Sequence, residues 1–94
     1  HLNAQGVVHG GSLLTLLDHA ISTVAWEASD RMPCVTLQLD THFLAAVSKG
    51  AFAEARAVVT HRTGKLLFLR GDVSVDASPV LSGQAIMRVL PRTP

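Results

Sequence analysis

One cysteine among 94 residues leaves Cys34 without an internal disulfide partner, and no cysteine–histidine group has the spacing of a zinc site, so disulfide-scaffold and zinc-module classes are excluded. A reducing, cytoplasmic setting is the expectation, with no metal. Aromatic residues are scarce: no tyrosine, one tryptophan and three phenylalanines. A core must therefore be built from Leu, Val and Ala. Charge is sparse and nearly balanced, eight Lys and Arg against seven Asp and Glu. The cations Arg31, Lys49, Arg56, Arg62, Lys65, Arg70, Arg88 and Arg92 are scattered through the chain. Nucleic acid is not an expected partner of such a distribution. No apolar run is long enough to span a bilayer, so no membrane partner is expected. There is also no repeat, low-complexity tract or linker, and the length sets a limit of one domain.

What the chain does have is Gly10-Gly11 opening an apolar run with one carboxylate, Asp18, in its middle. Glycines at a helix entrance leave backbone N–H groups open to a ligand oxygen, and the helix dipole favours negative charge there. Residues 10–28 read as the one long helix. Leu13, Leu14, Leu16, Leu17, Ala20, Ile21, Val24, Ala25 and Trp26 surround most of its axis, which predicts a helix buried on nearly all sides. Asp18 then lies where an unpaired charge is costly. Thr15, Asp18 and Ser22 form a narrow polar stripe on one face. Pro33 ends the helix by disfavouring helical geometry at Met32.

Residues 1–8 read as a loop or the end of an extended segment. Four strand-like segments follow the helix, at 35–44, 51–60, 66–76 and 80–90, the first two alternating in polarity. Ala51, Ala53, Ala55 and Ala57 line one face of the second of these and make it thin enough for a helix to approach closely. Turn signals stand at Ser48-Lys49-Gly50, at His61-Arg62-Thr63-Gly64-Lys65 and at Ala77-Ser78-Pro79. Short links predict an antiparallel meander, and one helix followed by an antiparallel sheet is an α+β layout. The helix carries more apolar surface than four strands can cover, which predicts a second copy alongside.

The elements Asn3, Gly6, His9-Gly10-Gly11, Thr15-Leu16-Leu17-Asp18, Val35-Thr36-Leu37-Gln38-Leu39, Phe43-Leu44 and Lys49-Gly50 together resemble the hotdog fold, and within it the PaaI-like acyl-CoA thioesterases related to 4-hydroxybenzoyl-CoA thioesterase. The resemblance covers essentially the whole chain. It implies one long helix wrapped by a curved antiparallel sheet, a single domain over residues 1–94, and an N-terminal helix and first strand missing from the sequence. It also implies a homodimer, assembling further as a dimer of dimers, with each active site shared between subunits. By resemblance Asp18 is the nucleophile or the general base that activates water. Gly10 N–H receives the thioester oxygen, Asn3 positions the thioester or water, and Thr36 assists from the strand after the helix. His9 and Gly11 flank the substrate, and Arg62 and Lys65 are candidates for the phosphates of CoA. No cofactor is implied beyond the CoA of the substrate. Two departures bear on the acyl group: Ala45-Ala46 replaces a proline common in the family, and Phe43 replaces a common tyrosine.

Two other readings remain open on the residues. A hotdog dehydratase or hydratase of 3-hydroxyacyl thioesters pairs a histidine with a carboxylate, which His9 and Asp18 could supply. A non-catalytic acyl-CoA sensor shares the same fold, but gains nothing from a carboxylate beside the thioester.

Overall fold

A computed structural model describes residues 2–7, 10–45 and 51–91. The elements run β1 (Leu2–Val7), α1 (Gly10–Ala28), β2 (Cys34–Phe43), β3 (Ala51–Arg62), β4 (Leu66–Val75) and β5 (Ser78–Val89). The helix occupies the expected residues. It ends in a Schellman motif, with Asp30 at a φ of 62°, Asp30 N–H donating to Glu27 O at 3.2 Å and Arg31 N–H to Trp26 O at 2.7 Å. Asp76 and Ala77, at φ values of 50° and 68°, form the two-residue turn between β4 and β5, a conformation suited to the twist of a hairpin. The turn thus comes earlier than Ala77-Ser78-Pro79. Pro79 is tolerated inside β5 because β2 ends opposite Leu81.

The sheet has five strands in the order β1-β3-β4-β5-β2, every neighbouring pair antiparallel. This corrects the expected meander in two respects. Only β3, β4 and β5 follow one another across the sheet, while β2 lies beyond β5 at one edge, and residues 2–7 form a fifth strand at the other. Alternation marks which residues face the core but not which neighbour a strand takes. The connection over residues 44–50 is long enough to cross three strand positions, since extended chain covers about 3.3 Å per residue and strands lie about 4.8 Å apart.

The helix lies across one face of the sheet, chiefly over β3 and β4. Leu13, Leu17, Ala20, Ile21 and Ala25 are buried against Ala53 and Ala55 of β3, Leu67, Leu69 and Val73 of β4, and Leu81, Ala85 and Met87 of β5. The alanine face of β3 serves as expected: with no bulk beyond Cβ, it admits the helix's leucines. Each fully buried leucine contributes about 2 kcal/mol. Gly71 and Gly83 stand opposite each other on β4 and β5. A Cβ at Gly71 would lie 2.7 Å from Leu17 Cδ1, and one at Gly83 3.0 Å from Leu17 Cδ2. The two glycines form a slot for that leucine.

The expectation of a helix buried nearly all round is corrected. Thr15, Asp18, His19, Trp26 and Glu27 are exposed. One sheet covers one face, and among the described residues nothing covers the other.

Candidate active site at the open flank of the helix

Three residues spaced four apart, Asp18, Ser22 and Trp26, form one ridge along α1. The ridge borders the flank that faces β2, because the Cys34 thiol at the start of β2 lies within hydrogen-bonding reach of three oxygens, Ala25 O at 3.8 Å, Met32 O at 3.5 Å and Ser29 Oγ at 3.5 Å, to one of which it donates at a time. This contact fastens β2 to the end of the helix and gives Cys34 a structural role. Between the ridge and β2 runs an open groove of about 500 Å³ lined by His19, Ser22, Thr23, Trp26, Cys34 and Met87. Its walls are mostly apolar, with hydroxyl and imidazole groups along the helix side. Thr23 Oγ1 donates to His19 O at 2.8 Å, so its lone pairs remain open to the groove.

Asp18 is exposed in the single chain. That overturns the expectation of a carboxylate inside the apolar run, because the flank on which Asp18 stands is the one the sheet leaves uncovered. Thr36 lies on the helix-facing side of β2, opposite Met87 in the ladder, and is exposed. Its ladder partner Met87, not Thr36 itself, lines the groove. A bulge follows, between Thr36 and Gln38, which makes Leu37 the extra residue of β2.

Gly10 and Gly11 form the first turn of α1, which carries no acidic residue. Its N–H groups lack helical partners by geometry. Asn3 lies in β1 opposite Glu54 of β3. His9 lies outside the described residues. Gly10 and Asp18 are eight residues apart on one straight helix, about 12 Å along the axis. One carbonyl group cannot touch both of them within a single chain.

The remaining candidates lie at the other end of the helix. Arg62 Nη1 donates to Ala28 O at 2.8 Å, satisfying one of the free carbonyls of the last turn and placing a cation where the helix dipole is negative. Lys65 is exposed at the β3–β4 turn, which is held by Leu66 N–H donating to Thr63 Oγ1 at 3.0 Å and Thr63 N–H to Leu66 O at 2.9 Å. Lys65 shares a shallow cavity of about 470 Å³ with Leu37, Thr63, Gly64, Leu66 and Arg88. Among the described residues no three His, Cys, Asp or Glu side chains come together as a metal site would require.

The structure thus sets Asp18 one residue before the groove and Thr36 one strand position from its Cys34–Met87 wall, Gly10 and Gly11 two turns away along the helix, and Arg62 and Lys65 at the hairpin near the helix's other end. Sequence reasoning placed Trp26 among the helix's buried residues and missed its part in the groove. The i, i+4, i+8 spacing from Asp18 was the available signal.

A model of the thioesterase superfamily matches residues 5–81. Among solved structures, the BH2602 protein of Bacillus halodurans, determined with CoA, is 28% identical with a TM-score of 0.78, over 88% of this chain and 59% of that one. The phenylacetic acid degradation protein PaaI of Thermus thermophilus, in a mutant form, is 28% identical with a TM-score of 0.77, over 90% of this chain and 71% of that one. A phenylacetic acid degradation-related protein of Ralstonia eutropha JMP134 is 28% identical with a TM-score of 0.79, over 89% of this chain and 64% of that one. The chain thus spans about three fifths of the Bacillus and Ralstonia proteins. No curated protein sequence matches.

Proposed function

Because this chain belongs to the thioesterase superfamily, we propose that it hydrolyses an acyl-CoA thioester to the free acid and CoA, with Asp18 as the reacting carboxylate. The observation that carries this reading is the exposed Asp18 on the uncovered flank of α1, one residue before a groove of about 500 Å³ that begins at His19. The Bacillus structure with CoA supports the choice of thioester.

The 12 Å between Gly10 and Asp18, about eight helical rises, gives the site its architecture. Asp18 of one copy works with Gly10 and Gly11 of another, across a seam between two chains. β2 is the free edge of the sheet on that side. It leaves Leu37 56% exposed and Phe43 54% exposed, more apolar surface than an edge strand carries when it faces only water. Edge-to-edge pairing through β2 covers these residues and brings two α1 flanks together. A dimer of such dimers is the assembly we expect.

In the reaction, N–H groups at Gly10 receive the carbonyl oxygen as it gains charge, a contribution of about 3 kcal/mol per donor. Asp18 either attacks the carbonyl carbon, expelling CoA thiolate and leaving an anhydride that water opens, or takes a proton from the attacking water. Thr36 orients the water or the carboxylate from β2, and Asn3 holds the thioester. His9 and Gly11 border the substrate, and Arg62 and Lys65 bind the phosphates. The chemistry draws on a carboxylate and backbone amides, with CoA entering as part of the substrate. Among the described residues no helix is long and apolar enough to cross a membrane, and we assign the activity to the cytoplasm, where CoA esters are found. Thiol release from a panel of acyl-CoAs tests the proposal. Turnover by wild type and its loss in Asp18→Asn are expected. Saturable binding without thiol release from any ester would overturn it. Single turnover in oxygen-18 water distinguishes the two routes by the label left on Asp18.

A further inference from the structure

We infer that the outer face of the sheet carries a second binding site, one that takes a small zwitterion with an apolar side chain, of the chemical class of the α-amino acids. This face lies on the opposite side of the sheet from α1. Edge-to-edge pairing through β2 lengthens the sheet without covering its faces, so the site does not depend on which copies meet along the helix. Strand alternation sends Leu69, Ala85 and Leu39 toward the core and leaves Arg70 of β4, Gln84 of β5 and Asp40 of β2 exposed on the other face. The three are ladder neighbours, Arg70 opposite Gln84 and Gln84 opposite Asp40. Two strand spacings, about 10 Å, therefore separate a cation from an anion at the backbone, a gap that the long arginine side chain narrows to the size of a small molecule.

Neither charge is spent on the other. Among the described residues the Arg70 guanidinium makes no ion pair or hydrogen bond. The other charges of this face answer one another: Arg56 stands opposite Asp72 in the ladder and lies 3.7 Å from Glu54 Oε2. Gln38 Nε2 donates to Asp40 Oδ2 at 2.8 Å, which steers the carboxylate and leaves Oδ1 open. Cavities of about 550 Å³ and 360 Å³ open on either side of the row, and Arg70, Gln84 and Asp40 line both. The larger leads to His42 and Ser82, paired in the next row. The smaller is floored by Phe68 and Ile86, half-buried and paired across β4 and β5. That floor is braced from β3, where the His61 ring packs on Phe68 with centroids 5.5 Å apart and Thr60 Oγ1 donates to Phe68 O at 3.1 Å. The layout selects by charge. An amine alone is repelled by Arg70, and an acid alone is repelled by Asp40. A ligand with both groups on one carbon satisfies both, its carboxylate on the guanidinium fork and its ammonium on Asp40. Gln84, between them, can donate to the one and accept from the other. The ligand's side chain then rests on Phe68 and Ile86.

The test is a titration of isotope-labelled protein with L-leucine, followed by NMR. Saturable shifts of the Gln84 and Gln38 side-chain amides and of the backbone amides of β5 are expected. Arg70→Gln and Asp40→Asn should each weaken binding about tenfold. Both side chains are exposed, so both variants are expected to keep the wild-type circular dichroism and sedimentation. Isocaproate, which lacks the amine, and isoamylamine, which lacks the acid, should each bind about tenfold more weakly than leucine. Glycine, which lacks the side chain, should also bind more weakly. Absence of saturable shifts in wild type overturns the inference. Binding of isocaproate equal to that of leucine overturns it too, and leaves Arg70 as a plain anion contact. Altered sedimentation in either variant, with no leucine shift in wild type, overturns it in favour of a contact between copies. The readout is binding alone, so its outcome stands apart from whether any thioester is hydrolysed.

Discussion

Asp18 stands one residue beyond Leu17, the side chain seated in the glycine slot of the sheet. Its backbone is therefore held by core packing while its carboxylate faces outward, which suits a reacting group that must be both fixed and accessible. Replacing Asp18 by Asn keeps the shape and removes the charge. Thiol release is expected to fall by at least about a hundredfold, with sedimentation and melting temperature unchanged. Thr36→Val, at an exposed strand position, is expected to lower kcat by about tenfold without unfolding, because it removes only a hydroxyl. Arg62 has two duties that can be separated. Arg62→Glu loses the bond to Ala28 O and puts like charge against the negative end of the helix, a cost of about 1 kcal/mol visible as a lower melting temperature. The same substitution should raise KM for a CoA ester more than for its truncated analogue, and an equal rise in both would remove Arg62 from phosphate binding.

The elements themselves were largely legible. Gly10-Gly11 and Pro33 bracketed α1, and alternation in the first two strands with turn signals around the last two located the four strands after the helix to within a few residues. The strand at Leu2–Val7 was less so, because Asn3, Gln5 and Gly6 interrupt any apolar pattern there and pairing to β3 supplies the order. Strand order was hidden for a different reason. An antiparallel strand presents the same alternation to any neighbour, so β2 carried no mark that it pairs with β5. The exposure of Asp18 was hidden too: a helical wheel counts apolar residues but does not say which of them the sheet covers. Trp26, apolar by type, was read as core and stands at the surface. The glycine slot is testable at this scale. Gly71→Ala would set a Cβ 3.0 Å from Arg56 O as well as against Leu17, and the backbone contact cannot yield as a side chain can. A loss of about 1–3 kcal/mol is expected in denaturant unfolding.

For the molecule as a whole, the open flank of α1 and the free edge of β2 lie on the same side, which is the side on which the proposed pairing of two copies would take place. Leu37→Lys places like charges where two such edges would meet. It is expected to shift sedimentation from dimer to monomer and to abolish thiol release, with secondary structure retained because Leu37 is exposed in the single chain. Retained turnover by such a monomer would show that one chain holds the entire site. Leu17, gripped between Gly71 and Gly83, gives the assembly a further property. The height of the helix, and with it the reach of the acid next door, is indexed by two methyl groups that the sheet does without. A laboratory selection for altered turnover should therefore recover changes at positions 71 and 83, more than fifty residues downstream of the acid, among sequences whose substrate-facing side chains are untouched.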